Sequence, residues 1–184
     1  MSSAAAYGDF LRGLISNPRA VSAPTPSSPT LARAIAAQVD LGRDGLVIEL
    51  GPGTGVVTQA LLEHGVPADR LVAIELEGSF ARLMRKRFPK VTVHHGDAVT
   101  FESQIAFGAR VAAIVSGLPL LQLPLETRRS LLRRALACQD AGGAFVQLSY
   151  SWRPPVPPEP GMTLTRKTVW RNFPPAHVWT YRAG

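Results

Sequence analysis

The sequence predicts an α/β fold: a mostly parallel seven-stranded sheet with helices on both faces, preceded by N-terminal helices and closed by a C-terminal antiparallel hairpin. Three observations predict it. From residue 45 onward, short apolar runs alternate with segments of helical periodicity, the pattern of a parallel sheet covered on both sides. The first run ends in closely spaced glycines just before a helical segment, as a βα unit requires. The last 30 residues hold two strand patterns with no helix between them, which a hairpin joins most simply.

The elements follow in order. Tyr7, Phe10, Leu11, Leu14 and Ile15 recur at i, i+3, i+4, i+7 and i+8, one apolar stripe on a short helix that Pro18 stops. Residues 21–29 are rich in Ser and Pro and read as an extended loop. Ser28 followed by Pro29 is the N-cap and first position of a second helix, with Leu31, Ala32, Ile35, Ala36 and Val39 on its buried face. Leu46–Leu50 is the first strand and Val56–His64 the helix after it. Leu71–Glu75 is the second strand, followed by a helix over Gly78–Phe88. Val91–His94 and Val111–Val115 form the third and fourth strands, Pro124–Ala137 a long helix, and Ala144–Tyr150 the fifth strand. Thr163–Val169 and His177–Tyr181 make the terminal hairpin. Trp152–Gly161 reads WRPPVPPEPG, too proline-dense for a helix or a central strand. Loops this long inside a domain are usually functional or disordered. Residues 1–18 are expected to be an amphipathic helix that lies on a membrane or acts as a lid, and residues 19–184 a single domain.

Composition narrows the class of partner. The chain has 184 residues, 46% hydrophobic and 18% charged, so a sizeable core forms without disulfides or metals and wholesale disorder is excluded. No apolar run reaches the roughly 18 residues of a membrane-spanning helix. The formal net charge of +7 points to an anionic partner: nucleic acid, a phospholipid surface or an acidic substrate. A single cysteine, Cys138, lies in a helical stretch and reads as a small core residue. His64, His94, His95 and His177 show no ligand spacing, so no metal is expected. The start of the chain lacks a signal-peptide pattern, and a cytoplasmic protein is expected.

The strongest signal is Glu49-Leu50-Gly51-Pro52-Gly53-Thr54-Gly55 between the first strand and its helix. Three alternate glycines let the backbone turn sharply and approach a ligand without Cβ interference. Glu75, 20 residues past Gly55, ends the second strand and can accept from two ribose hydroxyls. The spacing is G-x-G-x-G, so the dinucleotide fingerprint G-x-G-x-x-G is not met.

These residues resemble the class I S-adenosylmethionine-dependent methyltransferases, which have a Rossmann-like fold, from about Ser27 to the C-terminus. The resemblance implies S-adenosylmethionine as cofactor and no metal. It implies that Glu49, Gly51, Gly53, Thr54 and Gly55 wrap the amino-acid end of the cofactor, with Ser28 beside them. Glu75 then binds the ribose and Leu76 meets the adenine. Asp97 and Ala98, in Gly96-Asp97-Ala98 after the third strand, read the adenine edge. By itself, Asp97 would be a helix cap.

The fourth strand ends in Ser116-Gly117-Leu118-Pro119-Leu120. Adenine methyltransferases carry Asn or Asp, then Pro or Leu, then Pro, then an aromatic residue that stacks on the flipped base. Leu118-Pro119 keeps that pattern, but Ser116 and Leu120 depart from it, and a leucine cannot stack on a base. The stretch SSPTLARAI and the cofactor motifs are similar to the ribosomal RNA adenine dimethylases. The Ser-Ser-Pro helix start, ELGPGTG and SGLPL together resemble more closely the bacterial peripheral phospholipid N-methyltransferases. That resemblance implies stepwise methylation of phosphatidylethanolamine toward phosphatidylcholine. It places the protein at the inner face of the cell membrane, with a phospholipid substrate, an anionic membrane surface as partner, and neither nucleic acid nor a protein partner required. The alternatives are an RNA or DNA adenine N6-methyltransferase and a non-enzymatic basic binding module. In the lipid reading, Ser116 and Gly117 hold the amine through their carbonyls, and Tyr150 orients it or accepts a proton. Tyr7, Phe10 and Leu14 meet the membrane. Arg153, Arg166 and Lys167, interleaved with Trp152, Trp170 and Trp179, form a lipid-phosphate or membrane surface.

Overall fold

The computed structural model describes residues 28–184; the amphipathic stripe of Tyr7, Phe10 and Leu14 lies outside them. The described elements are α1 (Pro29–Ala36), β1 (Leu46–Leu50), α2 (Val56–His64), β2 (Leu71–Glu75), α3 (Gly78–Arg87), β3 (Thr92–His95), β4 (Val111–Ser116), α4 (Leu125–Ala137), β5 (Gln139–Ser149), β6 (Met162–Val169) and β7 (Ala176–Ala183). They build one seven-stranded sheet in the order β3-β2-β1-β4-β5-β7-β6. The first five strands pair in parallel, and β7 pairs antiparallel with both β5 and β6.

The strands are apolar on both sides because both sides are covered. On β1 and β2, Val47, Leu71 and Ala73 face a core built with α1, α2 and α3. The alternate residues Ile48, Leu50, Val72 and Ile74 face a second core containing Leu131, Leu132, Ala135 and Leu136 of α4. The strand period of two assigns each residue to its face. Ser28 caps α1 by accepting from the Leu31 amide at 3.2 Å, and Pro29 stands at the first helical position.

Beyond shifts of one or two residues at element ends, the structure differs from the sequence reading at one strand start and in one added segment. The fifth strand begins at Gln139 rather than Ala144, and its register against β4 jumps from Gln139↔Val111 to Ala144↔Ala113. The extra residues form a bulge at Gly142, whose φ of +84° favours glycine. A short 3-10 segment over Ala98–Gln104, which inserts the fully buried Phe101 into the α4-side core, has no periodic signal and was not anticipated.

The proline-rich loop is anchored. Val156 is fully buried, and the Tyr181 hydroxyl accepts from its amide at 3.1 Å and donates to its carbonyl at 2.8 Å. Arg128 donates to the Pro155 carbonyl, and Glu159 pairs with Arg133 at 2.9 Å.

Candidate active site

The order of the strands reverses between β1 and β4, and the loops leaving their C-terminal ends diverge around a crevice, where ligands of open α/β sheets bind. Gly51, Gly53 and Gly55 all have positive φ: +72°, +55° and +82°. A Cβ on Gly55 would meet Phe88 and Met84, at 2.5 and 2.6 Å, so this glycine seats the turn on α3. A Cβ on Gly53 would meet nothing within 4 Å, so that glycine borders open space. Gly117 approaches Gly51 so closely that a Cβ would lie 2.8 Å from the Gly51 carbonyl.

Two clefts open there. One, of about 600 Å³, is bounded by Gly51 and Gly53 from the turn, Glu75 and Leu76 from the end of β2, Asp97 and Ala98 after β3, and Gly117–Pro119 after β4. Ile74 and Phe80 complete it. The other, of about 620 Å³, runs from Gly117 through Gln122 to the end of β5, where Gln147, Ser149 and Tyr150 line it. The clefts share Gly117, Leu118 and Pro119.

In the first cleft the Glu75 carboxylate is buried and accepts from the amides of Gly53 and Glu77, both at 2.9 Å. Each oxygen keeps a further lone pair for a ligand hydroxyl. Asp97 accepts from the Val99 amide at 2.8 Å, so it caps the 3-10 segment as well as lining the cleft. The chemistry fits a nucleoside with a cationic side arm: a fixed acid for the ribose, an acid and the Ala98 backbone at one edge, apolar Leu76 and Phe80, and glycines that leave room.

Four expected cofactor residues do not line that cleft. Ser28 is engaged as the α1 cap. The Thr54 carbonyl accepts from Arg87, tying the turn to α3. Gly55 packs on Phe88 and Met84. Glu49 lies behind the turn, 2% exposed, where its carboxylate accepts from the Thr58 hydroxyl at 2.5 Å. Burial pushes the Glu49 carboxyl up to about 7; the Thr58 bond opposes this and the nearby Glu75 charge reinforces it.

Of the residues expected to hold the amine, Gly117 and Tyr150 line the second cleft, but Ser116 lines neither cleft: it is 1% exposed, and its hydroxyl accepts from the Leu118 amide at 3.3 Å, so it shapes its own loop. Leu120 is buried. Burial raises the Tyr150 phenol above its ordinary range, a shift that Asn172 partly offsets. Tyr150 therefore stays protonated near neutrality, which suits orienting and argues against accepting a proton. The expected phosphate set is divided. Arg166 and Lys167 are successive residues of β6, paired with Trp179 and Val178, so they point to opposite faces of the sheet. The Arg166 guanidinium lies 5.4 Å from the Trp152 ring centroid and 5.5 Å from that of Trp179, while Arg153 is exposed. Gln147, Gln122 and Phe80 were missed. Gln147 alone left a trace, as the one amide side chain inside the apolar run of β5. Burial pushes the Cys138 thiol up to about 11, which disfavours the thiolate near neutrality.

Comparisons with known proteins agree with this geometry. Residues 27–115 match the family model of the ribosomal RNA adenine dimethylases. The ornithine lipid N-methyltransferase of Singulisphaera acidiphila is 31% identical over 145 residues, 76% of each chain. Among solved structures, TrmN from Thermus thermophilus superposes on 85% of this chain and 49% of its own, with a TM-score of 0.64 and 20% identity. The glycopeptide N-methyltransferase MtfA bound to S-adenosyl-L-methionine covers 85% of this chain and 77% of its own, at a TM-score of 0.52 and 22% identity.

The fold and the first cleft define a class I S-adenosylmethionine-dependent methyltransferase, and the cofactor is S-adenosylmethionine. Within that class, the chain belongs to the family of the ornithine lipid N-methyltransferase, and over residues 27–115 it is similar to the ribosomal RNA adenine dimethylases.

Proposed function

We propose that this chain methylates the amino group of phosphatidylethanolamine, stepwise toward phosphatidylcholine, at an anionic membrane surface. The observation that carries the reading is the second cleft. It shares the Gly117–Pro119 wall with the cofactor cleft, and its walls are mostly aliphatic, with Leu120 buried where a base-stacking ring would be needed. The match to the adenine dimethylases ends at residue 115, before the Ser116–Leu120 motif, and so concerns the cofactor half. The match to the ornithine lipid enzyme is longer and supports an aminolipid as substrate.

Bound S-adenosylmethionine supplies an electrophilic methyl group. The chain's task is to present a neutral amine in line with it, and most of the rate then comes from proximity and alignment. The aliphatic walls of the second cleft desolvate the headgroup ammonium and lower its pKa. The Ser116 and Gly117 carbonyls accept from N–H groups and aim the lone pair at the shared wall. Tyr150 orients the headgroup. Tyr150→Phe should lower turnover by about tenfold; a loss beyond about 10⁴-fold, the upper end for general acid–base catalysis, would overturn that limited role.

Membrane docking is supported by Trp152, Trp170 and Phe173, which are 56%, 68% and 96% exposed. Arg166 stands beside Trp152, a pairing suited to an anionic bilayer interface. Among the described residues, no helix is long and apolar enough to cross a membrane, which accords with peripheral attachment.

The test offers the full chain labelled S-adenosylmethionine with vesicles of phosphatidylethanolamine and an anionic lipid, vesicles of ornithine lipid, or RNA. Label in phosphatidylethanolamine is expected, declining as salt screens the vesicle surface. Label in ornithine lipid alone would move the headgroup assignment, and label in RNA alone would overturn the lipid reading.

A further inference from the structure

Methylation of a primary amine needs hydrogen-bond acceptors at the reacting nitrogen, and two glutamines lining the second cleft have side-chain oxygens that no described residue uses. Gln147 is 1% exposed. Its amide nitrogen donates to the Leu118 carbonyl at 3.0 Å and to the Leu148 carbonyl at 2.7 Å. Two carbonyls cannot face an amide oxygen, so these bonds fix which way the carboxamide points. They leave Oε1 buried without a donor. Gln122, on the other side of the same cleft, also has a buried Oε1 with no partner. A buried acceptor left unbonded destabilises a fold by about the cost of stripping its water. Other buried polar atoms of the described residues also lack partners, Gln139 Oε1 among them, but these two belong to residues that line one cleft, which suits a ligand that brings N–H donors.

Register strengthens the case for Gln147. It pairs with Ser116 across β4 and β5, and its donor bond to Leu118 ties it to the wall shared with the cofactor cleft. It therefore stands beside the wall that the two clefts share. A competing donor exists within the fold: Trp179, its partner on β7, has an indole N–H that is likewise buried and unpartnered. The two side chains face the same side of the sheet and are not bonded to each other.

The geometry points to Gln147 Oε1, seconded by Gln122 Oε1, as the acceptor pair that holds the N–H groups of the headgroup amine. This rests on the aminolipid reading above and specifies the residues that recognise the amine. It has a consequence for the stepwise reaction. The attacking neutral amine has two N–H groups in phosphatidylethanolamine, one after the first methylation and none after the second. The glutamines therefore assist the first transfer most and the third not at all.

The experiment measures kcat/KM of the full-length protein on vesicles of phosphatidylethanolamine, its N-monomethyl form and its N,N-dimethyl form, together with S-adenosylmethionine affinity. Gln147→Met should lose about 10- to 30-fold on the primary amine, the loss of one hydrogen bond. It should lose less on the monomethyl lipid and be within about twofold of the native enzyme on the dimethyl lipid, with cofactor affinity unchanged. Gln122→Met should show the same gradient at smaller amplitude. A uniform loss on all three lipids, with weakened cofactor binding, would mean that Gln147 only holds the Leu118 loop and would overturn the assignment. So would the same gradient in Trp179→Phe, which would make the indole the partner of Oε1. Should Gln147→Met not fold, Gln147→Asn, which keeps the amide but withdraws it by one methylene, must give the gradient. A native enzyme that methylates RNA and none of the three lipids would instead refute the aminolipid reading itself.

Discussion

The cofactor cleft and the substrate cleft lie on either side of one backbone wall, Gly117–Pro119, yet they treat polar groups in opposite ways. In the first, Glu75 and Asp97 are bonded to backbone amides of their own loops, and Glu49 behind the turn is bonded to Thr58. Among the described residues lining that cleft, no buried side-chain atom lacks a partner. In the second, Gln122 and Gln147 each keep a buried oxygen unpartnered, and the aromatic rings beyond the cleft are exposed. A preformed site for an invariant cofactor can be held rigid by the chain alone. On the proposed reading, the second site is completed by its lipid headgroup and by the surface that delivers it.

If that contrast is right, the largest effect comes from breaking the preformed side. Glu75→Ala removes the proposed ribose acceptor and frees the Gly53 and Glu77 amides. Charge-assisted bonds contribute about 1.5–3 kcal/mol each, so S-adenosylmethionine affinity should fall by about 100- to 1000-fold in equilibrium binding. An affinity within about threefold of the native value would show that the cleft is not preorganised by this acid.

The next effect concerns the frame of the substrate side. Tyr181→Phe leaves the buried Val156 amide and carbonyl without partners. The folded state should lose about 2 kcal/mol, or about 30-fold in the folding equilibrium, measured by denaturant unfolding, and the proline-rich loop should become sensitive to proteolysis. An unchanged midpoint and an uncut loop would mean that the loop is held by its arginine contacts instead. A smaller change, about tenfold weaker binding to anionic vesicles, is expected when Trp152 and Trp170 are both replaced by Ser. Cosedimentation at low salt checks it, and undiminished binding would remove these rings from the membrane surface.

The same asymmetry explains how far the sequence could be read. The cofactor side was legible because its parts are local: glycines in one turn, then single acids at successive strand ends, each fixed by a strand that periodicity reveals. The mostly parallel sheet and the terminal hairpin follow from the same patterns, whereas the strand order, with β7 between β5 and β6, does not. The substrate side is assembled from residues about 30 apart in the chain, such as Gly117 with Gln147, and only the pairing of β4 with β5 brings them together. Register is also what splits Arg166 from Lys167, a cluster in the sequence that the sheet divides between its faces. The place of Glu49 in the motif carries no information about depth, and in the fold its carboxylate is buried against Thr58 rather than lining the cleft.

The subtlest effect tests whether the cofactor side is as rigidly prearranged in charge as it is in shape. Glu49 is a carboxyl whose folded value, about 7, lies above the ordinary 4.5. Between those values the folded state holds a proton that the unfolded chain has released. The stability this group contributes is therefore complete below about pH 4.5 and is lost as pH rises through 7. A cationic ligand bound in front of the turn favours the ionised form, so its binding must release a proton from Glu49 below neutrality. S-adenosylmethionine affinity should rise about fivefold from pH 6 to pH 8, if the bound state lowers the group by about one unit. Glu49→Gln should flatten that rise, and the ratio of the two profiles separates Glu49 from any titration of the ligand. Parallel profiles would mean that Glu49 acts only as the partner of Thr58, a brace for the turn with no part in matching the ligand's charge.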